Sequence, residues 1–109
     1  MAINRKRTSA NGSALATTSP ASWVRVIREV LSKTAQIDAV FLWRDDTNVV
    51  HVFSVVRDFQ PKIYDQLLKK ERMIERDLPE IAFEFHVRAH QGRQPALAVP
   101  FDAELVFAR

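Results

Sequence analysis

Three side chains with chemical potential fall on alternate positions of one short segment. They are Glu84, His86 and Arg88, within Ile81–Arg88. Residues two apart in an extended chain share a face, so a carboxylate, an imidazole and a guanidinium would stand in a row. A carboxylate beside an imidazole can orient it for proton transfer. The plainer reading is the solvated face of a half-buried strand. The other histidines are His51 and His90. No two of the three have the spacing that places metal ligands on one turn of a helix. His51 lies in an apolar run, where a hydrogen-bonded structural histidine is expected before a ligand. Asp45 and Asp46 are adjacent, project to opposite sides of extended chain, and read as solvating a turn. Glu71 sits between Leu67 and Ile74 on an inward-facing stripe. It reads as a boundary acid whose carboxylate reaches solvent, the alternative being a partly buried acid paired with an arginine. No catalytic residue, metal-ligand set or cofactor site is assigned.

Absences narrow the chemistry further. The 109-residue chain has no cysteine, which removes disulfides, thiolate metal sites and thiol nucleophiles together. It has two glycines, Gly12 and Gly92. Loops that cradle phosphate bring backbone amides close to the ligand and use glycine to do so, so neither a P-loop nor a dinucleotide fingerprint can be assembled. Ser54 lies inside a strand pattern without the Gly-x-Ser-x-Gly elbow of serine hydrolases.

The formal charge of +3 comes from one place. Arg5, Lys6 and Arg7 lie in residues 1–19, which contain no acid. The other 13 of the 16 basic residues match 13 acidic ones. Phosphate binding needs clustered positive charge on a surface, so nucleic acid is not the expected partner of the folded part. Arg44 next to Trp43 and Lys62 near Tyr64 would be its only stacking candidates. Residues 1–19 are rich in Ser, Ala and Thr and have little to bury, so they read as a flexible basic tail. No apolar run approaches the roughly 18–20 residues of a membrane span, and no apolar stretch follows the N-terminal basic residues as in a secretory signal. A cytoplasmic protein is expected.

The elements that must position these side chains are legible as patterns. Ser19-Pro20 reads as a helix cap followed by a first-turn proline. A helix is expected over about 20–34, with Trp23, Ile27, Val30, Leu31 and Thr34 inward. Ile37–Arg44 and Val49–Val56 are apolar runs around Asp45-Asp46-Thr47-Asn48, which predicts an antiparallel hairpin. Asp58 is the expected cap of a second helix, with Pro61 in its first turn and Ile63, Tyr64, Leu67, Leu68, Ile74 and Leu78 as its apolar stripe. Leu78-Pro79 stops it. In Ile81–Arg88, Ile81, Phe83, Phe85 and Val87 point one way and Ala82, Glu84, His86 and Arg88 the other. His90–Arg93 reads as a turn, and Glu104–Ala108 as a short edge strand or a docked segment. The second helix is a crossover, so the third strand should lie parallel to the second. The fold class expected is α+β over residues 20–109: a mixed three- to four-stranded sheet with both helices on one face.

The order helix, hairpin, helix, strand over residues 20–88 resembles the αβ core of nucleotidyltransferase-type domains. The stretch Ile74–Val87, with an acidic helix end, a Leu-Pro stop and Phe-x-Phe-x-Val, is similar to small bacterial domains of this shape. The resemblance implies a catalytic Gly-Ser and spaced acids that hold magnesium. The only Gly-Ser here is Gly12-Ser13, and the second strand, Val49 to Val56, carries no acid. The resemblance therefore implies an ancestry without the catalytic equipment.

Strands apolar on both faces need cover on both. If the helices take one face, the C-terminal segment or a second copy must take part of the other. The function expected is a non-catalytic interaction or accessory domain that self-associates or joins a protein partner. The alternatives are an enzyme of unknown reaction using Glu84, His86 and Arg88, and RNA binding through Arg5, Lys6 and Arg7.

Overall fold

In the computed structural model, residues 20–109 are described. The tail reading for residues 1–19, with its Arg5-Lys6-Arg7 cluster and the Ser19 cap, lies outside them. Helix α1 spans Pro20–Leu31, strand β1 Ile37–Arg44, β2 Val50–Val56, helix α2 Pro61–Asp77, β3 Phe83–Ala89, a short 3-10 helix Pro95–Ala98, and β4 Glu104–Ala108. The four strands form one mixed sheet in the order β3-β2-β1-β4. β1 pairs antiparallel with β2 and with β4, and β2 pairs parallel with β3. This is the expected α+β class.

Both helices pack on one face. Trp23, Ile27 and Leu31 of α1 and Ile63, Leu67 and Ile74 of α2 form one core with Val40, Leu42, Val50, Val52 and Phe83 of the sheet. Period-two alternation accounts for the strands. In β3, Phe83, Phe85 and Val87 face the helices, while Glu84, His86 and Arg88 face away.

Three expectations are corrected at the helices. α1 ends at Leu31, three residues short of the pattern. Thr34 is buried all the same, in the turn that returns the chain to β1. The N-cap of α2 is Gln60, whose side chain makes no capping bond, and Pro61 takes the first helical position. Asp58 instead lies beside Arg57, at 3.7 Å. Tyr64 and Leu68 of the expected stripe are exposed, and the buried line runs through Ile63, Leu67, Ile74 and Leu78. A helix lying across a twisted sheet meets it along a narrow strip, so apolar residues at the flank of the stripe stay wet. Tyr64 stacks on the exposed Phe59, with centroids 6.2 Å apart.

The turn after β3 is as expected. Gln91 and Gly92 have positive φ, and the Arg93 amide donates to the His90 carbonyl at 2.9 Å. The C-terminal segment forms the edge strand β4. Its place at the far side of β1 has a consequence. Residues 90–103 must cross from the β3 edge to the β4 edge, about 14 Å sideways at the usual strand spacing, and also run back along the strands, because β3 and β4 point the same way. The helices occupy one face, so the segment crosses the other. There Ala98, Val99 and Ala103 cover Ala39, Phe41, Phe53 and Val55.

Candidate functional site: the second face of the sheet

The polar candidates lie beside this crossing segment. The parallel register sets His51 opposite Glu84 and Phe53 opposite His86. His51 therefore shares a face with Glu84 and His86, although 33 residues separate it from the nearer of them. His51 Nδ1 is 2.9 Å from His86 Nε2 and 3.7 Å from Glu84 Oε1. The other nitrogen of His51, Nε2, is 2.7 Å from Asp45 Oδ2. A carboxylate at Nε2 accepts its hydrogen, which leaves Nδ1 with a lone pair, and His86 Nε2 then donates to it. The order of hydrogen bonds is His86 to His51 to Asp45.

Asp45 is held by the β1–β2 turn. Its Oδ1 accepts from the Thr47 amide at 2.9 Å, the Thr47 hydroxyl at 2.6 Å and the Val49 amide at 3.1 Å. Partial burial opposes ionisation, and the hydrogen bonds from Thr47, His51 and Val49 outweigh it, so the carboxyl sits well below the usual carboxylate range. Burial and the neighbouring His51 lower the pKa of His86; Glu84 opposes this and Arg88 adds to it.

Aromatic contacts fix the rings. His86 stacks on Phe53 with centroids 4.6 Å apart, and Trp43 lies 5.1 Å from His51. The Arg88 guanidinium sits over Phe53 at 5.4 Å. Glu84, His86 and Arg88 thus share one face, as the alternation implies, but Arg88 is directed at Phe53. The sequence pattern did not bring in His51 or Asp45. The signal for His51 is present, since it is the one ionisable residue in the otherwise largely apolar β2, but its partner depends on the register with β3. His51, Glu84 and His86 each offer a ligand atom within 4.8 Å of the other two.

The remaining candidates lie elsewhere. Asp46 is exposed. His90 Nε2 is 2.7 Å from Asp38 Oδ2, and its Nδ1 accepts the Gly92 amide at 3.0 Å. It is a structural clasp between β1 and the turn after β3. Glu71 is half-buried and has no ion-pair partner among the described residues. Burial, with Glu75 adding to it, pushes its pKa up to about 7. Arg44 lies over Trp23 at 5.6 Å, on the helix side of the sheet, and so does not flank a stacking surface with Trp43.

Exposed apolar side chains stand on the segment that crosses the second face and on β4. Phe101 is 99 % exposed, Leu97 73 % and Leu105 58 %. Leu97 and Phe101 belong to the crossing segment and Leu105 to β4, opposite Phe41. Among the described residues no helix is long and apolar enough to cross a membrane. No family model matches the chain, and no curated protein matches it.

Proposed function

We propose that this domain is a non-catalytic interaction module that pairs with a second copy of itself through the second face of its sheet. The observation that carries this reading is the exposure of Phe101, with Leu97 and Leu105, on the side that the helices leave open. Burying one such side chain is worth about 1.5–3 kcal/mol, so each of the three gains by being covered. A second copy suits this role because residues 20–109 carry equal numbers of acids and bases, so two copies do not repel. One patch meeting itself across a twofold axis also closes without leaving a free end. The test is the mass in solution by light scattering at micromolar concentration. A dimer mass supports the reading; a 12.5 kDa monomer across that range ends it.

One observation favours a second reading. His86 is hydrogen-bonded to His51, which Asp45 in turn orients, so the His86 ring is held in one position where it could give or take a proton, which suits an enzyme using the polar face of β3. Screening wild type and His86→Ala against general acid–base substrates tests it, and equal activity of the two removes it.

A further inference from the structure

We propose that His51 Nδ1, His86 Nε2 and a Glu84 carboxylate oxygen form a binding site for one divalent transition-metal ion of the zinc class. This goes beyond the interaction reading and does not depend on it.

Geometry is the first support. Ligand atoms around a tetrahedral zinc at about 2.0–2.1 Å lie about 3.3–3.4 Å apart. The two closest edges here are 2.9 and 3.7 Å, on either side of that value. All three atoms lie within 4.8 Å of one another. An ion between them requires the two imidazoles to part by a few tenths of an ångström and the Glu84 carboxylate to close in. Glu84 can do so, because its side chain is 41 % exposed.

The second support is independent of ligand spacing. A metal-binding histidine commonly donates its other N–H to a carboxylate, which fixes the tautomer and orients the ring. Asp45 stands in that position toward His51 Nε2 at 2.7 Å, and three hydrogen bonds from its own turn hold it there. The lone pair of His51 Nδ1 is thereby aimed at His86 and Glu84. His86 becomes a ligand by carrying its hydrogen on Nδ1 instead of Nε2, so no proton need leave that ring. Stacking on Phe53 already holds the imidazole in place.

The donor set chooses the class of ion. Two imidazoles and one carboxylate suit zinc, cobalt, nickel or copper, whereas calcium and magnesium prefer all-oxygen shells. The carboxylates of Asp45 and Glu84 supply negative charge, which the Arg88 guanidinium on the same face partly offsets. Three protein ligands leave a fourth position for water or an incoming donor.

Calorimetric titration of the full chain, stripped with chelator, with zinc and with cobalt tests the assignment. One saturable equivalent per chain is expected, with visible cobalt absorption of the tetrahedral type. His86→Gln should abolish that binding, and Asp45→Asn should weaken it by about 10- to 100-fold. His90→Gln should leave it unchanged. A nitrogen NMR titration with zinc keeps the test decisive if a variant fails to fold. His51 Nδ1 and His86 Nε2 should shift while the His90 nitrogens do not. Absence of saturable binding below about a millimolar metal concentration, or equal shifts at all three histidines, overturns the site.

Discussion

His51 Nδ1 lies 2.9 Å from His86 Nε2, with the two rings inclined by only 16°. One hydrogen can stand between those nitrogens. Asp45 decides whose it is, because its Oδ2 takes the hydrogen on the far side of His51. An acid in a hairpin turn thereby sets the tautomer of a ring on the strand that follows it. The arrangement orders the polar face without any residue of the helices.

Asp45 should therefore matter to stability as well as to the face. Asp45→Ala leaves two amides and a hydroxyl of the turn without their acceptor. A loss of about 1–3 kcal/mol is expected in urea unfolding, against less than about 0.5 kcal/mol for the exposed Asp46→Ala. Equal effects of the two would refute this role.

Glu71 should make the protein less stable as pH rises. Its folded pKa is raised from 4.5 to about 7, so between those values the folded state holds the proton more tightly than the unfolded one. Stability is then fully present below about 4.5, declines as pH rises through 7, and changes no further above it. Allowing for solvent at the half-buried carboxylate, the loss should be about 1–2 kcal/mol. Glu71→Gln should remove it. Urea midpoints of both proteins from pH 5 to pH 8 provide the check; parallel curves would contradict the assignment.

Arg109 closes the connection between α1 and β1. Its guanidinium donates to the carbonyls of Ile37 at 2.7 Å, Ser32 at 2.6 Å and Thr34 at 3.0 Å. Its amide bonds to the Asp38 carbonyl at 2.9 Å. Arg109→Ala should cost about 1–3 kcal/mol and speed amide exchange in residues 32–36. Arg109→Lys, with a single point charge in place of a fork, should recover only part. Full recovery by lysine would show that charge alone matters.

Phe101 should govern association and not folding. Phe101→Ser is expected to weaken self-association by at least about tenfold, one buried aromatic being worth more than 1.4 kcal/mol. At concentrations low enough to keep both proteins monomeric, its stability in urea should stay within about 0.5 kcal/mol of wild type, because the side chain touches little in the single chain. Analytical ultracentrifugation of both at several concentrations checks this. Unchanged association would remove Phe101 from the contact.

Local pattern carried the strands far. In β3, strict alternation placed Phe83, Phe85 and Val87 inward and Glu84, His86 and Arg88 outward, because the side-chain period of a strand is set by its own backbone. The hairpin followed from apolar runs around the Asp45–Asn48 turn, and parallel β3 from the helical crossover. Pattern failed where the outcome depended on what lies opposite. Tyr64 and Leu68 share the apolar flank of α2, but the strip that the sheet can cover excludes them. The Asp58 reading failed because a capping position depends on where the first turn begins, and Gln60 holds it.

What the sequence by itself determined is the α+β class, the order of elements and the side of β3 on which Glu84, His86 and Arg88 stand, since each follows from interactions within a few residues. Only the tertiary structure decided that His51 meets His86, that Asp45 orients His51, and that Arg109 ties down the turn after α1. Those contacts join residues 35, 6 and up to 77 positions apart. Even the short one needs a turn to redirect a carboxylate toward the strand. Strand register and the path of residues 90–103 across the sheet set these meetings, and no local period encodes either.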